Sequence, residues 1–155
     1  MIDHVTVFAP VADYVPHRPP ILMIDEIVEV TPDGSVCRAT LRPDCPFAID
    51  GQVHPAALIE VAAQAFAVGV GVNAKRRGDA VRRGFVIGGR ECTFEVDALA
   101  VGDVLEFRST RLFGETLLGA FSCDVYRDGA RCATIQLSVA DATVGTLVPA
   151  PERTP

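Results

Sequence analysis

Two side chains in this sequence have the types needed to take a proton from one atom and give one to another. Glu60 lies in the run Pro55 to Val72, PAALIEVAAQAFAVGVGV, where Glu60 and Gln64 are the only polar side chains. A carboxyl group among apolar neighbours is costly unless it is paired, protonated or used, and burial favours its neutral form. His17 stands with Arg18 between Pro16 and Pro19-Pro20, a non-helical stretch that limits its freedom. Imidazole is the natural base near neutral pH. On spacing alone the structural readings come first: Glu60 as a carboxylate capped by backbone or paired with an arginine, His17 as a surface loop residue. Only the fold could join them into an acid and a base.

Other site chemistries lack their residues. Gly69-Val70-Gly71-Val72-Asn73-Ala74 matches GxGxxA, but it falls late in a helical run and does not join a strand to a helix start. There is no GxSxG, P-loop or HExxH, and three histidines make no multi-histidine metal site; His4 is given no role. Five cysteines (Cys37, Cys45, Cys92, Cys123, Cys132) show no CxxC or metal-like spacing and read as reduced thiols acting as small hydrophobes. A net charge of −6 argues against nucleic acid as a partner. The local exception is KRRGDAVRR, where Lys75, Arg76, Arg77, Arg82 and Arg83 face only Asp79. It reads first as a solvated linker favourable to the preceding helix C-terminus, and second as a docking patch for an acidic partner.

The elements that must position these groups follow from the pattern. A helix that is apolar all round is buried all round, and residues four apart share a face, so Glu60 and Gln64 form one narrow polar stripe. Pro55 suits the first helical turn, and the helix is expected to end near Asn73 or Ala74. The run is long enough for a membrane span, but a central carboxylate there costs roughly 2.5 to 3.5 kcal/mol. A buried helix, with no membrane partner, is expected instead. No basic region followed by an apolar run opens the sequence, so no signal peptide is expected and the location is read as cytoplasmic. Ile21–Val30 and Val36–Leu41 read as strands joined by the Asp33-Gly34 hairpin, followed by an irregular crossing from Arg42 to His54. Gly84–Val96 reads as a long strand in which Gly88-Gly89 marks a bulge or a close backbone approach. Val104–Phe113, Thr116–Arg127 and Ala130–Asp141 complete the strands through tight turns. A chain of 155 residues, 49% hydrophobic, fits one α+β domain over 1–142 and a Pro-rich tail over 143–155. An antiparallel sheet of about six strands would wrap the helix, with a second copy covering what one sheet leaves exposed.

Three segments carry a family resemblance. Tyr14 to Asp25, YVPHRPPILMID, resembles the LPHRYPFLLVD segment of hotdog-fold 3-hydroxyacyl-ACP dehydratases of the FabZ class. Leu58 to Ala65, LIEVAAQA, resembles their LIVEAMAQ helix, and Phe94 to Asp103, FEVDALAVGD, their FRKPVVPGD strand and turn. The likeness spans about Tyr14 to Ala140 in the same order. Pro19-Pro20 in place of Tyr-Pro is closer to the divergent dehydratases of aryl polyene pathways. The resemblance implies a hotdog fold and reversible dehydration of a 3-hydroxyacyl thioester to the trans-2-enoyl thioester. His17 would take the α-proton and Glu60 would protonate the departing hydroxyl, the pair being assembled across a dimer interface. Gln64 would orient Glu60 or the substrate. It further implies no metal or redox cofactor, and an acyl chain delivered on the phosphopantetheine of an acidic acyl carrier protein. Lys75, Arg76, Arg77, Arg82 and Arg83 then become a docking patch, and the oligomer a homodimer or higher, with a heterodimer possible.

One departure stands at the helix start. The family reads Pro-Gly there, the glycine amide polarising the thioester carbonyl, whereas this chain has His54-Pro55, and Pro55 has no N–H. Either Ala56 or Ala57 donates instead or the oxyanion site is altered; His54 is a further substrate-contact candidate, or a surface residue at the helix start. The same fold hosts thioesterases, so thioester hydrolysis is the alternative activity, and a noncatalytic acyl-thioester-binding subunit the alternative of another class.

Overall fold

The computed structural model describes residues 6–114 and 118–141. His4, the start of the strand expected at Thr116, and the tail 143–155 lie outside the described residues. In chain order the elements are β1 (Glu26–Thr31), β2 (Gly34–Thr40), the short β3 (Ala48–Ile49) and β4 (Gln52–Val53), α1 (Leu58–Arg76), β5 (Gly84–Phe94), the short β6 (Leu99–Ala100), β7 (Val104–Phe113), β8 (Leu118–Arg127) and β9 (Ala130–Asp141). Six of them form one sheet in the order β1-β2-β7-β8-β9-β5, and β3-β4-β6 form a small second sheet. All neighbouring pairs are antiparallel. This is the hotdog arrangement, α1 lying across a six-stranded antiparallel sheet.

The two-residue period of the strands decides which side chains meet the helix. Cys37 and Ala39 of β2, Leu105 and Phe107 of β7, Phe121, Cys123 and Val125 of β8, and Ala133, Ile135 and Leu137 of β9 all face inward and are buried. They pack against Leu58, Val61, Ala62, Ala65, Phe66, Val68 and Val72 of α1. Phe66 and Phe121 stack with ring centroids 4.3 Å apart. All five cysteines are free, and only Cys92 is not buried. The apolar run that could span a membrane by length and composition is thus the core helix, 61% buried over its apolar window.

The sheet does not cover α1 on every side. Glu60, Ala63, Ala67 and Val70, spaced three, four and three residues apart, form a stripe that remains half-exposed. The expectation of burial on every face is corrected accordingly. The helix itself begins and ends later than expected, because Pro55–Ala57 forms a separate 3₁₀ turn and α1 continues to Arg76. The first strand begins at Glu26 rather than Ile21. Residues 21–23 are bonded to the side chain of Gln64 on α1, which occupies the backbone groups a neighbouring strand would need. Gly88-Gly89 does bring bulges to β5, with register shifts at Val86/Gly88 and Gly89/Glu91, and no group of the described residues lies within 4 Å of where their side chains would stand. The close approach belongs to Gly71 instead. A Cβ there would stand 2.2 Å from the carbonyl oxygen of Tyr14. Only glycine lets the N-terminal segment cross the helix at that point.

Candidate active site

His17 is held by a loop built around the next residue. Arg18 donates to the carbonyls of Val15 at 2.9 Å and His17 at 2.7 Å, and Leu22 N–H donates to Arg18 O at 3.1 Å. Tyr14, three residues upstream, is buried, anchored on Gly71 and covered by Lys75, whose Nζ lies 5.2 Å from the ring centroid. At the other end of the segment, Asp25 accepts the Thr40 N–H at 2.7 Å and pairs with Arg42. The Nδ1 atom of His17 is buried and has no hydrogen-bond partner among the described residues. Nε2 is therefore the nitrogen presented to the site.

Gln64 joins this loop to the helix. Its Oε1 accepts the Met23 N–H at 2.9 Å, and its Nε2 donates to Ile21 O at 2.7 Å and to Glu60 Oε1 at 2.9 Å. The side chain is fully buried, which suits an amide with both ends bonded. Glu60, one turn earlier on the same face, is thereby steered toward the loop. His17 Nε2 lies 3.5 Å from Glu60 Oε1. The two side chains retain 28% and 37% exposure, so Glu60 stands at an accessible edge rather than buried among apolar groups. The imidazole and the carboxyl come from one chain. Where the resemblance implied assembly across a dimer interface, the two groups already meet within one chain, the 41-residue connection between loop and helix being closed through Gln64.

Both groups open onto a cavity of about 330 Å³. Its floor is the exposed stripe of α1, Ala63, Ala67 and Val70 with Phe66, and its opposite wall comes from the ends of β8, β9 and β5, including Gly119, Val139 and Phe85. The lining combines this apolar surface with the His17–Glu60 pair and with Arg82, Arg83, Arg111 and Asp141, a mixture of apolar contact and a few polar groups that suits a small ligand.

The remaining expected residues divide. Gln64 does not line the cavity; its amide is committed to the loop and to Glu60. His54 caps the turn before α1, its Nδ1 accepting the Ala56 N–H at 3.1 Å, and its carbonyl accepts the Ala57 N–H at 3.0 Å. Both amides considered for the thioester carbonyl are thus already bonded, and none of His54, Ala56 and Ala57 lines the cavity. The basic run also separates. Arg76 donates to Val30 O at 3.1 Å and lies over Phe8, Arg77 pairs with Asp79 at 3.0 Å, and Lys75 covers Tyr14. Arg82 and Arg83 alone of the run line the cavity, Arg82 pairing with Asp141 at 3.3 Å. Sequence reasoning missed Arg111, which also lines the cavity. The signal was there: Leu105, Phe107, Ser109 and Arg111 continue one alternating face of β7.

The fold is that of the hotdog proteins, and the family comparison names the class within it. The ApeP-like dehydratase family model matches residues 9–147, and the chain belongs to that family. In line with this, it is similar to a chain of the dehydratase heterocomplex ApeI:P from Xenorhabdus doucetiae, with 27% identity and a TM-score of 0.84 over 91% of this chain and 96% of that one. More distant structures share the fold. They include Cj0977 of Campylobacter jejuni (17% identity, TM-score 0.63, covering 85% of this chain and 87% of that one). Another is a hypothetical thioesterase with coenzyme A from Streptococcus pneumoniae TIGR4 (13% identity, TM-score 0.58, covering 76% and 84%). Searched against curated proteins, the sequence finds no match.

Proposed function

We propose that this dehydratase converts a 3-hydroxyacyl thioester to the trans-2-enoyl thioester, with His17 and Glu60 as its base and acid. The observation that carries the reading is the 3.5 Å approach of His17 Nε2 to Glu60 Oε1 on a cavity that Ala63, Phe66, Ala67 and Val70 also line. His17 Nε2 takes the proton from C2 while Glu60 gives its proton to the C3 hydroxyl. The C2–H electron pair becomes the C2=C3 double bond, the C3–O pair leaves with the hydroxyl as water, and return of the proton from His17 to Glu60, directly or through water, restores both residues for the next turnover. Gln64 acts as a positioning residue, holding Glu60 and the His17 loop in one frame. The carbonyl donor is assigned to none of Ala56, Ala57 and His54, whose geometry gives no reason to choose them.

In this reading the substrate arrives on the phosphopantetheine of an acyl carrier protein, and the reaction itself uses no metal or redox cofactor. Arg82 and Arg83 at the cavity edge are the docking cations, while Lys75, Arg76 and Arg77 chiefly secure the helix end. A second hotdog subunit sits on the exposed edge of β5, where Phe85 and Ile87 are 58% and 60% exposed. The relative from Xenorhabdus comes from a dehydratase heterocomplex, which supports a related rather than identical partner. A cytoplasmic location fits both partners.

The test is incubation with 3-hydroxyacyl and trans-2-enoyl thioesters. Interconversion of the two is expected, and replacing either His17 (His17→Ala) or Glu60 (Glu60→Gln) should lower kcat by about a hundredfold or more. Release of free acid and thiol without interconversion would assign hydrolysis instead. Unchanged dehydration in both variants would remove the pair from the mechanism.

A further inference from the structure

The cavity wall contains a cation that the acid–base chemistry does not use. Arg111 lies on the inward face of β7, in register with Phe121 of β8 and following Leu105, Phe107 and Ser109 on the same side. That face otherwise supplies the core, so an arginine there is half-buried among apolar neighbours. Its guanidinium carbon is 5.2 Å from the centroid of the Phe66 ring. Its Nη1 donates to the Gly114 carbonyl at 3.1 Å, and no carboxylate pairs with it among the described residues. A guanidinium carries five N–H donors in a rigid fork, so one with a single protein acceptor among the described residues has donors to offer a ligand that displaces water from the cavity. The other cavity arginines differ. Arg82 has its carboxylate in Asp141, and Arg83 is exposed.

We infer that Arg111 is a substrate-recognition residue, binding a carboxylate or other oxygen acceptor at the far end of the acyl chain. The inference rests on the dehydratase reading above, which puts C2 and C3 of the chain between His17 and Glu60. From there the open course follows Ala63 and Ala67, which give apolar contact and no polar partner. Phe66, against which Arg111 stacks, lies six residues past Glu60, about 9 Å along the helix axis. An extended acyl chain that follows this course brings its terminus to the guanidinium. A charge-assisted bond in this half-closed setting is worth about tenfold or more in selection between a terminal carboxylate and a terminal methyl group.

The experiment uses the full chain with its partner subunit where one is required. It compares 3-hydroxyacyl pantetheine thioesters of matched length, ending in methyl or carboxylate, for the wild type, Arg111→Met and Arg111→Lys. The same thioesters carrying the pantetheine phosphate form a second arm, and binding of saturated, unreactive analogues is measured alongside. The expected result is a wild-type preference of about tenfold or more for the carboxylate-ended chain, in kcat/KM and in binding. The ratio should fall to near one in Arg111→Met and be partly retained in Arg111→Lys. Three results would overturn it: no wild-type preference, an equal loss on both chains in Arg111→Met, or a change in Arg111→Met that follows the phosphate rather than the chain end. Tail preference in binding without turnover would count against the dehydratase reading while upholding this one; turnover without tail preference would do the reverse.

Discussion

Gln64 is the residue on which the site's geometry turns. One side chain satisfies a buried N–H, a partly buried carbonyl and the carboxylate of Glu60. Replacing it with leucine (Gln64→Leu) would leave the Met23 N–H and the Ile21 carbonyl without partners, at about 1–3 kcal/mol each. A fall in stability of a few kcal/mol is therefore expected in denaturant melts, with a larger fall in kcat than in KM as His17 and Glu60 drift apart. Glutamate at this position (Gln64→Glu) keeps the shape but loses both donors, so it should damage the pair as well, and a wild-type rate in that variant would refute the positioning role. His17, Glu60 and Gln64 were all legible in the sequence because their types and neighbours are unusual. Their grouping within one chain was not, since it depends on a 41-residue closure that no local spacing encodes. The same holds for Ala56 and Ala57, whose amides are claimed by His54 through a turn only the folded chain displays.

At the scale of elements, the N-terminal segment, the helix and the sheet make separable predictions. Gly71→Ala should strengthen the isolated helix by about 0.5–1 kcal/mol. It must also move the Tyr14 carbonyl, which a Cβ would approach to 2.2 Å. Loss of activity with little loss of helix content, read by kinetics beside circular dichroism, is the expected outcome. On the outer face of the sheet, the Arg108 hydrogen bond holds the Glu106 carboxyl below its ordinary pKa, with help from Arg38 and against partial burial. A folded-state pKa lowered in this way stabilises above the unfolded carboxylate range, near 4.3, and the contribution vanishes as pH falls through the folded value. Glu106→Gln should therefore lower Tm at pH 7, by no more than about 2–4 °C for so exposed a network, and make no difference at pH 2. In the core, burial pushes the Cys37 thiol up to about 12 and raises that of Cys123 as well. Native protein at pH 8 should be labelled first at Cys92, with Cys37 and Cys123 reacting only on unfolding. The strands and hairpins were readable from two-residue alternation and Asp-Gly turns. Ile21–Asp25 was not, because its apolar residues are buried by the helix side of the fold rather than by strand pairing.

The whole molecule presents a long bare strand at one edge. Among the described residues β5 is bonded only to β9, and Phe85, Val86 and Ile87 stand exposed along it, a combination that natural sheets cover. A charge placed there (Ile87→Asp) should dissociate the assembly, with sedimentation velocity reporting the change, while an assembly of unchanged mass would exclude this edge. The need for a partner could be anticipated from a helix too apolar for one sheet. That β5 would be an edge strand could not, since its exposure depends on strand order rather than on its own composition.

Because each chain brings His17 and Glu60 together by itself, the two defects of a subunit cannot be shared out. Were the pair split between copies, a chain lacking the histidine and another lacking the carboxylate would together rebuild one working site. Here such a mixture of His17→Ala and Glu60→Gln chains should show no complementation. Wild-type chains diluted with inactive ones should lose activity in simple proportion. Genetic dominance would then be absent: a damaged copy in a mixed assembly would silence itself and leave its neighbour at work.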